Sequence, residues 1–260
     1  MNWTFTIGVA STISLFLPVF FITALKLTRH KSFLALFVYY VSVVVYNLLT
    51  LQIIGVSHDV LLYWGLANNL LDAPLMLYFF LYYSSSIRFY RRTRWLIIAF
   101  VTFEALVIVI KGFNSNAISV ILAPGILLTL FYSMRFFAKH GKLAIRHGKA
   151  TGKAMIAAAL VFAYGCYGLL YLMYYVFKVH VVNGVVNEQY VDDTFLIYYL
   201  CTVFSSLLLT AGIVFESKRV HKLNELKVTR KELQMIYTNA PKMATPFRTA
   251  MLDFEKEHWN

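Results

Sequence analysis

The chain has 260 residues, of which 60% are hydrophobic and 14% charged, and its formal net charge is +12. A charged share so far below the roughly 25% of soluble domains excludes an ordinary soluble globule, and the hydrophobic share excludes a disordered chain. The positive charge falls between long apolar runs, so its expected partner is a lipid bilayer and not nucleic acid.

Taken in order, the apolar runs are Thr4 to Leu25, Phe33 to Ile54, Val60 to Tyr83, Trp95 to Ile110, Ala117 to Phe137, Ala154 to Phe177 and Thr194 to Phe215. Each is about long enough to cross a ~30 Å hydrocarbon core as a helix. The expected fold class is therefore an all-α integral membrane protein with seven transmembrane helices, its bundle over residues 1–216. The opening Met1-Asn2-Trp3-Thr4 lacks a basic segment, so the first run is expected to span and not to act as a signal peptide. Between runs six and seven, Val179-His180-Val181-Val182-Asn183-Gly184-Val185-Val186-Asn187 places β-branched residues around Asn-Gly, which predicts a small type I′ hairpin. After run seven, Val220, Leu223, Leu226, Leu233 and Ile236 recur among Lys and Arg. That pattern predicts a helix over Ser217 to Tyr237, either amphipathic on the inner leaflet or the stub of a signalling helix, in a cytosolic tail, residues 217–260.

Orientation follows from the basic residues. The loops after runs one, three and five and the tail carry 3, 4, 6 and 9 of the 24 Lys and Arg, leaving Lys111 and Lys178 on the other side. By the positive-inside rule the N-terminus is outside and the C-terminus cytosolic. A plasma (cytoplasmic) membrane is the expected location.

Chemistry centres on run three, where Asn68-Asn69-Leu70-Leu71-Asp72-Ala73-Pro74 lies about 11 residues from either end. A lipid-facing carboxylate at that depth costs at least ~2.5 kcal/mol, so Asp72 should face a protein interior or a wet cavity. Asn68 and Asn69 share its face at i, i+4 and i, i+3 spacing. Pro74, and Pro124 in run five, each remove one backbone hydrogen bond and are expected to kink their helices. Glu104 on run four is the second mid-depth acid and could exchange a proton with Asp72, with Lys111 seven residues further along as a third relay candidate.

Asn47 on run two, with Ser11, Thr12 and Ser14 on run one, is expected to wall a cavity above Asp72. Run six carries a stripe of Tyr164, Tyr167, Tyr171 and Tyr174, with Gly165 and Gly168 permitting close packing. Run seven adds Thr202, Ser205, Ser206 and Thr210. No histidine is mid-span and no Gly-x-Gly-Asp or nucleophile-elbow motif occurs, so no metal, cofactor or catalytic residue is expected. Cys166 and Cys201 read as free thiols within the spans.

Seven spans, this orientation and a Pro-bearing third helix with a carboxylate resemble the microbial rhodopsins. That resemblance rests on Pro74-Leu75. The family's counter-ion position falls on Asn68, the acid being at Asp72. Run seven has Ser205 and Ser206 near its middle and no retinal-binding lysine, and run six has no tryptophan. The resemblance thus implies a lysine-less rhodopsin-like protein that does not bind retinal covalently.

The leading expectation is a non-enzymatic receptor or sensor with an outward-opening small-molecule pocket centred on Asp72. Its binding residues would be Asn47, Asn68, Asn69, Asp72, Tyr164, Tyr167, Tyr171, Ser205 and Ser206. A ligand from the outer side, a cytosolic protein partner and a homo-oligomer all fit this reading. A small proton-coupled transporter using Asp72 and Glu104 is the rival, and an enzyme acting on a lipid or isoprenoid is the third reading.

Overall fold

The computed structural model describes residues 3–84, 86–148, 150–177, 181, 182, 185, 186 and 188–239. Among them are seven helices long and apolar enough to cross a membrane, the make-up of an integral membrane protein. They are α1 (Trp3–Ala24), α2 (Lys31–Thr50), α3 (His58–Tyr83), α4 (Ile87–Lys111), α5 (Ser115–His147), α6 (Thr151–Tyr171) and α7 (Glu188–Asn239). A π turn, Leu172–Val176, continues α6. Two units are compact, Met1–Ser217 and Lys218–Asn260.

Several helices outrun their apolar stretches. α4 begins at Ile87, so Arg88, Arg91, Arg92 and Arg94 lie on its first two turns and not in a loop. α5 runs on through Arg135, Lys139, Lys142 and Arg146 to His147. α7 is one helix to Asn239, so the residues expected to be helical from Ser217 to Tyr237 belong to the same helix as run seven. The reason is that bilayer thickness sets how long a run is apolar, whereas Lys and Arg are good helix formers and do not end a helix. What ends α5 is Gly148, in the left-handed region at φ 60°. At the other end of the bundle, Asn114 ties α4 to α5. Its Oδ1 accepts from the Ala117 N–H at 2.9 Å, and its amide donates to the Lys111 carbonyl at 2.7 Å.

Val181–Val182 and Val185–Val186 pair antiparallel, Val181 opposite Val186 and Val182 opposite Val185. The Asn183-Gly184 turn on which the type I′ expectation rests lies outside the described residues.

Within the first unit, α2 packs on α1 and α3, α3 on α4 and α5, and α5 on α6. The main core holds Leu36 and Tyr40 of α2, Met76, Leu77, Phe79 and Phe80 of α3, Phe136 of α5 and Ile156 and Leu160 of α6. Its aromatic part is stacked: Phe80 lies 5.2 Å from Phe136 and 6.1 Å from Tyr132, and Phe79 lies 4.7 Å from Tyr83. This core sits toward the end with connections 25–30 and 84–86, where most of the basic residues are. It is called the basic end below. The opposite end, with connections 51–57 and 112–114, is where the bundle opens.

Pro18, Pro74 and Pro124 all lie inside continuous helices. Each still lacks the proline N–H, so the Leu70 carbonyl loses its usual partner one turn before Pro74.

Candidate functional site

α2, α3, α5, α6 and α7 enclose a cavity of about 350 Å³. α2 contributes Tyr39, Val43 and Tyr46, which recur at i, i+4 and i+7 and so form one face. α3 contributes Asn68, Asn69 and Asp72, and α5 contributes Leu122 and Ile126. From α6 and its π turn come Tyr167, Leu170, Tyr171, Tyr174 and Tyr175, and from the start of α7 Thr194, Phe195 and Tyr198. Every element gives the stretch from mid-length toward the open end, so Asp72 and Tyr39 form the floor. Below them Met76, Leu77, Phe79 and Phe80 are fully buried and close the bundle toward the basic end.

Asp72 is held from beneath. The Tyr164 hydroxyl donates to its Oδ1, and Tyr39 lies beside the same carboxylate and lines the cavity with it. Tyr164 is 1% exposed and stands behind the cavity wall, so its role toward Asp72 is support. Asn68 is oriented too: its Oδ1 accepts from Ser42 Oγ at 2.8 Å, which leaves the amide N–H groups free to turn elsewhere. Trp64 Nε1 makes a long 3.5 Å bond to the Ser42 carbonyl on the same α2–α3 seam.

The tyrosines of the wall are fixed by one another. Tyr167 stacks on Tyr198 at 5.6 Å and meets the Thr202 hydroxyl at 3.4 Å. Tyr171 donates to the Ser119 carbonyl on α5 at 2.9 Å, and its ring lies 5.2 Å from Tyr175. The π turn carries Tyr174 and Tyr175 at the mouth, their rings 5.1 Å apart. Such turns interrupt the regular i to i−4 ladder and recur at functional positions.

Of the residues singled out in the sequence, Asn68, Asn69, Asp72, Tyr167 and Tyr171 line the cavity and Tyr164 supports its floor. Asn47 does not line it: it is buried a quarter turn away from the Tyr39–Tyr46 face, its Nδ2 without a partner. Ser205 donates to the Thr202 carbonyl at 3.1 Å, and Ser206 is buried with an unpartnered hydroxyl, so neither reaches the cavity. Ser11, Thr12 and Ser14 are buried against α1's neighbours, Thr12 and Ser14 bonding their own helix backbone. Glu104 lies within electrostatic range of Asp72 but is outside the cavity lining, 4% exposed, with Oε1 unpartnered. Lys111 is exposed at the end of α4, also off the cavity.

The α2 face of Tyr39, Val43 and Tyr46, and Tyr198 with Phe195 on α7, were not among the sequence candidates. Both could have been found from periodicity, because an aromatic every third or fourth position marks a helix face as well as a polar residue does. Among the described residues no group of three or more His, Cys, Asp or Glu could hold a metal ion. Set beside models of known families, curated proteins and solved structures, the chain matches none of them.

Proposed function

We propose that this protein is a non-enzymatic, receptor-like membrane protein that takes a small organic cation from the outer side and holds it over Asp72. One observation carries the reading. Among the described residues that line the cavity, seven are tyrosines, one is a carboxylate, and none is Lys, Arg or His. Aromatic faces carry negative potential, and a ring of them around a desolvated cation gives ~0.5–2 kcal/mol per good contact. A carboxylate supplies the matching charge. The distribution of Lys and Arg turns the open end outward, and the mildly acidic residues of that side (Asp59, Glu188, Asp192, Asp193) attract cations. The packed Met76 to Phe80 floor supports a dead-end pocket over a transport path.

The test uses the purified full chain with choline and with 3,3-dimethylbutan-1-ol, which has the same shape and no charge. Choline should raise the melting temperature saturably and the neutral alcohol should not. Asp72→Asn keeps the size of the side chain and should weaken choline binding at least about tenfold, which is ~1.4 kcal/mol. Equal binding of the alcohol, or undiminished binding of choline by the Asn variant, overturns the reading.

A further inference from the structure

A second opening lies between α3 and α4 at the basic end, a cleft of about 470 Å³. Tyr78, Leu81 and Tyr82 of α3 line one wall at i, i+3 and i+4; Tyr90, Arg94, Ile97 and Ile98 of α4 line the other at i, i+4, i+7 and i+8. These are two complementary helix stripes. They face the bilayer side of the bundle, since Tyr78, Arg94 and Ile98 are exposed and neighbouring Trp95 is 68% exposed.

The cleft is graded along its length. Toward the basic end are Tyr82, Tyr90 and Arg94. The Tyr82 and Tyr90 rings lie 5.8 Å apart, and Lys31 of α2 stands 5.4 Å over the Tyr82 ring. Toward mid-bilayer the α4 wall becomes Ile97 and Ile98, about 12 Å from Tyr90 at the far edge. Cationic and hydroxyl groups thus sit at headgroup depth, with an aliphatic wall at acyl-chain depth.

Among the described residues of the first unit, the cationic end has no counter-ion. From α1 to α4 the chain holds three acids, Asp59, Asp72 and Glu104, all in the other direction along the helices, and α5 and α6 hold none. Glu216 is the acid of the first unit at this end, and it is buried against Gly152 of α6. Two positive side chains therefore stand at a phenol-lined cleft that no acid among the described residues of the first unit meets.

We infer that the α3–α4 cleft binds one glycerophospholipid with an anionic headgroup, its phosphate on Arg94 and Lys31 and the Tyr82 and Tyr90 hydroxyls, and an acyl chain against Ile97 and Ile98. With the basic end inside, the lipid comes from the inner leaflet. Basic clefts between membrane helices on the cytosolic side suit anionic headgroups. Free phosphate would satisfy Arg94 but leave the isoleucine wall bare, which is why a lipid is the better match.

The full chain in a neutral detergent is titrated with phosphatidylglycerol, phosphatidylcholine and glycerol 3-phosphate, and bound lipid is counted by native mass spectrometry alongside the melting temperature. One phosphatidylglycerol should be retained in preference to phosphatidylcholine, and glycerol 3-phosphate should bind far more weakly. Arg94→Gln should lower phosphatidylglycerol affinity about tenfold, while Arg92→Gln, on the opposite face of α4, should not. Ile98→Trp, which fills the aliphatic end, should weaken the lipid and leave glycerol 3-phosphate unchanged. Should Arg94→Gln prove unstable, Arg94→Lys serves in its place and should retain a preference for the anionic lipid. Equal retention of phosphatidylcholine, equal losses in the Arg92 and Arg94 variants, or glycerol 3-phosphate binding as tightly as the lipid overturns the inference.

Discussion

Asp72 and Glu104 are both carboxyls inside the bundle, and they differ in their surroundings. Asp72 accepts from Tyr164 and borders a cavity. Glu104 is buried, and its Oε1 has no partner among the described residues. Removing a partner from a satisfied buried group leaves a polar atom unmet and costs ~1–3 kcal/mol, whereas replacing an unsatisfied one by an apolar group of similar shape is neutral or stabilising. Tyr164→Phe should therefore lower the melting temperature although it deletes one oxygen and keeps the ring. Glu104→Met should hold it level or raise it. Thermal unfolding of the two variants side by side checks this. A marked loss in Glu104→Met would mean that the carboxyl is hydrogen-bonded in the folded protein, and the proton-relay expectation for Asp72 and Glu104 would regain ground.

At the level of helices, the glycines that matter for packing are not those in the tyrosine stripe. A Cβ on Gly165 would meet nothing within 4 Å, and one on Gly168 would lie 3.5 Å from Ile126. A Cβ on Gly152 would instead lie 2.7 Å from the Glu216 Cα, and one on Gly212 2.8 Å from the Ile156 N. α6 and α7 thus approach backbone to backbone, the contact that small residues allow between membrane helices. Gly152→Leu should lower the melting temperature or yield, since backbone has to move to admit it. Gly165→Ala should be neutral or stabilising through its better helix propensity, worth up to ~1 kcal/mol. Equal effects of the two would deny the close α6–α7 approach. The same contrast shows what the sequence can carry. Seven spans were legible because bilayer thickness imposes a length. Helix ends were not, because charge stops an apolar run without stopping a helix. Asp72, its asparagines and part of the tyrosine stripe were legible as polar groups at i, i+3 and i+4. Tyr39, Tyr46 and Tyr198 line the cavity but do not stand out from the many other aromatics of their runs, and Asn47, Ser205 and Ser206 are polar at similar depth yet lie off it. Spacing within one helix gives a face, but which neighbour that face meets is decided by packing between helices.

For the molecule as a whole, the decisive question is which end faces out, because both sites depend on it. A cavity that opened to the cytosol would receive a different ligand pool, and the α3–α4 cleft would meet the outer leaflet. Gly55 lies in the 51–57 connection at the open end, exposed and with nothing within 4 Å of an added Cβ. Lys142 is exposed on the basic end of α5. Each can be changed to cysteine in a background with Cys166→Ser and Cys201→Ser, which removes the native thiols. In intact cells a membrane-impermeant maleimide should label Gly55→Cys. It should label Lys142→Cys only after lysis, because an excess of Lys and Arg is retained on the cytosolic side of short connections. A permeant maleimide should label both, which confirms that each thiol is reachable. Labelling of Lys142→Cys alone in intact cells would invert the protein. The cavity would then open inward, and the outer-side cation reading would fall while the lipid cleft would still predict its preference for an anionic headgroup, now from the other leaflet.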